Sequence, residues 1–255
     1  MPSSEIFPNP LVKQVHFEVR FQNLFFVEAR IGDFQVRVMK YFPQSELVHR
    51  RSLMLLAGTD DSIQDLAKKQ QSSDSVDKVW QFKSLSGTTL AITNKSLGII
   101  SEQHKSYNQG GDNSFRTIIK MVVDHFVEVV KIQTVLRIGL RYVNEGPIFD
   151  RSAERFINCY NSILPLNRFG LENAVGMDCV VLVNTENCQL RHLESLKMNG
   201  DRGQLVIDLD ASVENVPSEE LLGRTDHLHE KISKEFRETI KEPIVEFMRR
   251  PKGEN

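Results

Sequence analysis

Residues 14–21, QVHFEVRF, alternate without a break: Val15, Phe17, Val19 and Phe21 fall on one side, Gln14, His16, Glu18 and Arg20 on the other. A two-residue period marks a β-strand with one buried face. It limits the fold, because a strand that is polar along a whole side does not sit between two helix layers as parallel strands do. Taken with the order of strands and helices along the rest of the chain, it gives an α+β protein, with antiparallel sheets and helices packed against them. At 255 residues the chain is long enough to bury such a core in one large domain or two small ones.

The rest of the chain reads in the same terms. Ile31, Phe34, Val38 and Phe42 recur at helical spacing between Asn23, a candidate cap, and Pro43. SELVHRRSLMLLAG (45–58) reads as a strand. The polar stretch from Thr59 to Lys78 lacks apolar periodicity and reads as a dispensable loop. VWQFKSL, TTLAIT and LGIISE are short antiparallel strands separated by turn residues. After a cap at Asn113 or Ser114, the helix from Phe115 carries the broadest apolar stripe, including Ile119, Val122, Phe126 and Val130. The strand TVLRIGLRYVNE (134–145) sets Leu136, Ile138, Leu140 and Tyr142 against Arg137, Gly139 and Arg141. Farther on, AERFINCYNSIL is a helix, and DCVVLVN, CQLRHLESLKM and GQLVIDLDASV are strands. A helix starting at Pro217 and Ser218 aligns Leu228, Ile232, Phe236 and Ile240, and EPIVEFM reads as a closing strand. This order divides the chain into an N-terminal half, 1–150, and a C-terminal half, 151–255, forming one compact unit, and suggests two ferredoxin-like halves.

Composition excludes several classes. With 34 acidic against 32 basic residues, no global field draws the protein to nucleic acid or an anionic membrane. The opening MPSSEIFPNPLVKQ lacks a secretory pattern, and no stretch approaches the roughly 20 apolar residues that span a bilayer, so a cytoplasmic protein is expected. Cys159, Cys179 and Cys188 show no CxxC spacing and read as reduced structural thiols. GxGxxG, GxxxxGK[ST] and GxSxG motifs are absent, and no cofactor is expected.

NPLVKQVHFEVRF near the start, YFP at 41–43, WQFKS, RIGLRYVNE after the long helix and LHEKISKEFRETI (228–240) resemble a sporadically distributed, uncharacterised prokaryotic family. Its members open with an NPxV strand and carry a Gly-Leu-Arg-Tyr-x-Asn signature, here Gly139, Leu140, Arg141, Tyr142 and Asn144. The resemblance covers nearly the whole chain. Lys13 departs from it, since family members often have an acidic residue there, and takes no role. The patchy distribution implies mobile loci such as defence or toxin–antitoxin modules.

The candidate binding residues are Arg137 and Arg141 with His16, Glu18 and Arg20. On one strand face the two arginines stand about 13 Å apart, with Gly139 leaving a gap between them that suits a phosphate, a carboxylate or a partner backbone. The competing reading is an internal charge ladder, with Glu18 answering the arginines and Asp208 and Asp210 joining if the sheets meet. A metal site from Asp208 and Asp210 with Glu18, His16 or Glu194 lacks ligand spacing, and no metal is expected. His227 and His229, two apart on a helix, point to different faces and do not form an HExxH pair. His125 reads as a boundary residue. Two functions remain: a noncatalytic binding or regulatory module that engages a protein partner through strand edges and the Arg137/Arg141 face, or an RNA-binding or RNA-processing protein whose tandem ferredoxin-like halves bind RNA across their sheets or cleft. Whether any catalysis occurs is open in the sequence, and homo-oligomers are compatible with it. The aromatics Phe17, Phe21, Trp80, Phe82 and Tyr142 fall on the expected core side, which disfavours the paired outward aromatics of RNA readers.

Overall fold

The computed structural model describes residues 5–51, 76–185 and 187–251. Among the described residues nine strands form one antiparallel sheet. At its centre, β1 (Val12–Arg20) pairs with β5 (Ser96–Ser101) on one side and β6 (Thr134–Ile148) on the other. Beyond β5 come β4 (Thr88–Ile92), β3 (Val76–Lys83) and β2 (Gln44–Arg51), which forms one edge. Beyond β6 come β9 (Arg202–Pro217), β8 (Gln189–Asn199) and β7 (Gly176–Asn184), the other edge.

The alternation read from β1 sets the layering. Val15, Phe17 and Val19 are buried together with Ile138 and Leu140 of β6 and Leu205, Ile207 and Leu209 of β9. Each such side chain contributes about 1.5–3 kcal/mol when fully buried. The helices that cover them are α1 (Val27–Val38), α2 (Phe115–Val130), α3 (Ala153–Cys159), α4 (Leu166–Phe169), α5 (Leu221–Thr239) and α6 (Glu242–Arg249). Ser114 caps α2 by accepting a hydrogen bond from the Thr117 amide, 3.2 Å away. Within the core, Phe126 of α2 packs on Phe21 and Phe34, with ring centroids 5.2 and 5.9 Å apart.

The topology runs twice. β1 leads through α1 into a meander whose last strand, β5, returns beside it, and α2 follows. β6 leads through α3 and α4 into a second meander whose last strand, β9, returns beside it, and α5 follows. Pairing of β1 with β6 joins the two runs into one sheet.

Several expectations change. EPIVEFM is helical, not a strand: Pro243 stands in the first turn of α6, where its missing amide costs no helical bond, and Ile244, Val245 and Met248 are buried on one side. Among the described residues the second run therefore has no strand after its last long helix, which a ferredoxin-like unit requires. The first helix begins at Val27, with Phe26 and not Asn23 at its N-cap. The helix over AERFINCYNSIL stops at Cys159, because Tyr160 turns extended and bridges to Ile240. Leu136 is exposed, since Val135 and Ile138 are both buried and the alternation slips by one beside Asn215, whose φ is +54°. The expected strand over 52–58 and most of the polar stretch from Thr59 lie outside the described residues; Val76 to Lys78 belong to β3.

Candidate functional site

Register brings the five sequence-selected residues together on the sheet face turned away from the helices. His16 lies opposite Arg141, Glu18 opposite Gly139 and Arg20 opposite Arg137. Like charges would repel at the last pair, and Glu18 resolves this by binding both. Arg20 Nε donates to Glu18 Oε2 at 2.8 Å and Arg137 Nη1 donates to the same oxygen at 3.1 Å. Arg137 Nη2 also reaches Asp210 Oδ1, 3.5 Å away.

Arg141 is held more firmly. Its Nε and Nη2 donate to the two carboxylate oxygens of Asp208, both at 2.7 Å, a two-pronged pairing that matches guanidinium geometry. Arg191 of β8 adds a third donor to Asp208 at 3.2 Å. Asp208 itself is buried. Burial raises the Asp210 carboxyl above its ordinary range against the pull of Arg137 and Arg141. Burial, then the facing Arg141, lowers the His16 imidazole, so it is neutral at pH 7.

The gap expected at Gly139 is filled from within. A Cβ added there would lie 2.8 Å from Arg137 Nη1, so the guanidinium lies across the glycine on its way to Glu18. The face is thus a carboxylate–guanidinium ladder that answers its own charges. Arg191 was missed in the sequence because its place in the ladder depends on the pairing of β8 with β9.

The opposite face carries two polar groups that sequence patterning did not join. His192 and Glu194 point into the helix layer, where Glu194 accepts from Ser162 Oγ and from the Ile163 amide at 3.2 Å. His192 Nδ1 sits 2.8 Å from Glu235 Oε1. Its Nε2 is 3.2 Å from Glu194 Oε1 without the alignment of a hydrogen bond. Burial lowers the His192 pKa, but Glu194 and Glu235 together outweigh it and the net shift is upward. Glu194 therefore faces away from Asp208 and Asp210, and among the described residues no group of three or more His, Cys, Asp or Glu side chains is placed to hold a metal.

The second group lines a cleft of about 520 Å³ between the N-terminal segment, the Lys105–Gln109 stretch, β6 and α5. The segment from Glu5 is tied down by two hydrogen bonds from Arg249 to the Glu5 carboxylate, 2.6 and 3.1 Å, and by the Asn9 amide to the Met248 carbonyl, 3.0 Å. Phe7, Leu11, Ile232, Phe236 and Met248 give the cleft an apolar wall. Against it stand Tyr107 and His229, stacked with centroids 4.3 Å apart, and Tyr142, whose ring lies 5.9 Å from His229. Tyr107 donates to Asp226 at 2.8 Å, and Arg116 grips the same carboxylate at 2.8 and 2.7 Å. Burial lowers the His229 pKa to about 4, and burial followed by the Asp226 contacts raises that of Tyr107 well above the usual phenol range. Both are neutral at pH 7 and are poor proton carriers there. Tyr142 and Asn144 of the GLRYVN run turn toward this side, one on each side of Val143, while Arg141 turns to the ladder. The sequence sets His229 on a different helix face from His227 and goes no further; its partner Tyr107 sits in a polar turn that patterning leaves blank.

No family model matches the chain, and no curated protein matches it. The resemblance drawn from the motifs rests on the quoted residues.

Proposed function

We propose that the protein is a noncatalytic binding module that engages a protein partner, seating an apolar or aromatic side chain of that partner in the cleft beside Tyr107 and His229. The observation that carries this reading is the cleft itself, with apolar walls and an aromatic shelf in which His229 and Tyr107 are held neutral. Its volume lies within the roughly 300–1,000 Å³ of pockets that take ligands, and buried aromatic or aliphatic anchors dominate protein recognition. Arg237 lines the cleft, while Glu5 there is already paired with Arg249. An acidic residue beside the anchor therefore complements the rim. The ladder around Arg137 and Arg141 supports the sheet under this reading and does not contact the partner.

Selection from a displayed random-peptide library tests it. Enriched peptides are expected to share a large apolar or aromatic residue with an acidic neighbour, and Ser233→Trp, which fills the cleft, is expected to abolish their binding with the circular dichroism unchanged. Enrichment of RNA from the native cell by the wild-type protein, unaffected by Ser233→Trp and lost in Arg137→Gln/Arg141→Gln, would replace this reading with the nucleic-acid one.

A further inference from the structure

The two edges of the sheet are built differently. β2 reads QSELVHRR and carries Glu46 and His49, charged or titratable side chains of the kind that keep an edge from pairing with another strand. β7 reads GMDCVVLVN, and its stretch from Cys179 to Val183 has no charge. Val180, Val181, Leu182 and Val183 are all exposed, two on each face of the sheet. From Cys179 to Val183 this edge lacks the charges that guard β2.

Its free backbone groups follow from the ladder to β8. The Met198 amide donates to the Val175 carbonyl at 3.0 Å, and the Thr185 amide donates to the Cys188 carbonyl at 2.9 Å. Both contacts belong to the register that pairs Val180 with Leu193. In an antiparallel ladder alternate residues turn both backbone groups to one neighbour. Odd-numbered residues from Val175 to Thr185 therefore face β8, and Asp178, Val180, Leu182 and Asn184 direct their N–H and C=O outward.

We propose that β7 pairs with β7 of a second copy of this chain, antiparallel about a two-fold axis at Val181, to make one continuous sheet across two subunits. This goes beyond the cleft reading and does not depend on it. Only registers that match even residues with even residues bond the outward groups. Centring on Val181 sets Val180 against Leu182 of the partner subunit and Asp178 against Asn184 of the partner subunit. On the helix side, Val181 meets its own copy and Cys179 meets Val183 of the partner subunit. Apolar side chains then face apolar ones on both sides of the sheet, and no like charges meet. Centring on Val180 instead would set Asp178 against Leu182 of the partner subunit and leave Asn184 without it. The chosen register forms four close pairs and about eight backbone hydrogen bonds, within the range of specific interfaces. A foreign strand would satisfy the backbone as well, but the matching of this sequence to its own reverse favours a second copy.

Sedimentation velocity on the full chain tests this, beside the variant Val181→Lys, which places two ammonium groups face to face on the axis. The wild type is expected to be a dimer that dissociates on dilution. The variant is expected to be a monomer at every concentration, with a far-ultraviolet spectrum unchanged. Register is read separately in a Cys179→Ser background: mild oxidation is expected to cross-link Val181→Cys subunits and to leave Val180→Cys and Leu182→Cys subunits largely unlinked. A wild-type monomer at the highest soluble concentration, or a dimer that survives Val181→Lys, overturns the proposal. A monomer that nevertheless binds a synthetic MDCVVLVN peptide at β7 assigns the edge to a foreign strand and overturns it equally.

Discussion

At the scale of single residues, Asp208 is the most demanding group of the ladder, because one buried carboxylate answers both Arg141 and Arg191. Asp208→Asn is expected to destabilise the fold by about 1.5–3 kcal/mol, the range for hydrogen bonds to charged groups. Arg141 is 41% exposed at its side chain and recovers water when its partner is lost, which keeps the loss below that of a fully enclosed pair. Arg141→Gln is expected to lose a similar amount, and the double variant less than the sum, since both remove one interaction. Arg137→Gln should cost under about 1 kcal/mol, because its partner Glu18 is open to solvent. Urea denaturation of the four variants measures this, and an Asp208→Asn midpoint equal to wild type would remove the ladder from the stabilising features. His229 gives a pH signature. Its folded pKa lies near 4, below the ordinary 6.5, so between these values the unfolded chain takes up a proton that the folded chain refuses. Stability from this residue is full above about pH 7 and falls as pH drops toward 4, by about 3 kcal/mol in total. In His229→Phe, which keeps a ring on Tyr107, the drop between pH 7 and 4 is expected to shrink by that amount. His192 acts in the other direction, since its raised pKa supports the fold below 6.5 and loses effect as pH rises through the raised value. Unfolding free energies of His229→Phe and wild type across the same buffers separate the two, and parallel curves would show that His229 is not desolvated.

At the scale of elements, legibility followed periodicity. β1 and α2 carry eight or more residues with an unbroken apolar period, and the structure places their stripes in the core. The anchor of α2 is Phe126, packed between Phe21 and Phe34. Phe126→Ala is expected to cost about 3–5 kcal/mol by leaving a cavity that the two neighbouring rings cannot close. Chemical denaturation reads this directly, and a loss under about 1 kcal/mol would mean the stripe is not core. Short elements were less legible. In α6, Ile244, Val245 and Met248 fit a helix as well as Val245 and Phe247 fit alternation, and only Pro243 at the first turn tips the balance. β6 was legible from Ile138 to Tyr142, where neighbours bury it, and misread at Leu136, where the backbone beside Asn215 departs from regular pleating. For the candidate site the same holds. Side chains two apart on one strand showed that Arg137 and Arg141 share a face, and their partners Asp208 and Asp210 were visible as an alternating pair. That Arg137 covers Gly139, and that Tyr107 stacks on His229 from more than a hundred residues away, depend on packing that no local pattern encodes.

At the scale of the whole molecule, the two topological runs are parts of one sheet. β6 belongs to the first 150 residues yet pairs with β9 from Thr134 to Ile148, and its Ile138, Leu140 and Tyr142 lie under the layer that contains α5. Removing residues 151–255 would bare the hydrogen-bonding edge of β6 and much of its apolar face together. The central pairing of β1 with β6 leaves no linker at which the sheet can part. One unfolding transition is therefore expected for the whole chain. The sequence supplies a convenient reporter, because its single tryptophan, Trp80, lies on β3 in the first run and packs half-buried against the core. Trp80 fluorescence reports that run alone, whereas far-ultraviolet circular dichroism reports every helix and strand. In guanidinium titrations the two probes are expected to give the same midpoint and the same slope. Because β7 dimerisation would raise the midpoint with protein concentration, the comparison is made on Val181→Lys, where that contribution is absent. A fluorescence transition displaced from the circular dichroism transition would show that the runs unfold as separate units, with the β1–β6 ladder as a weak seam between them.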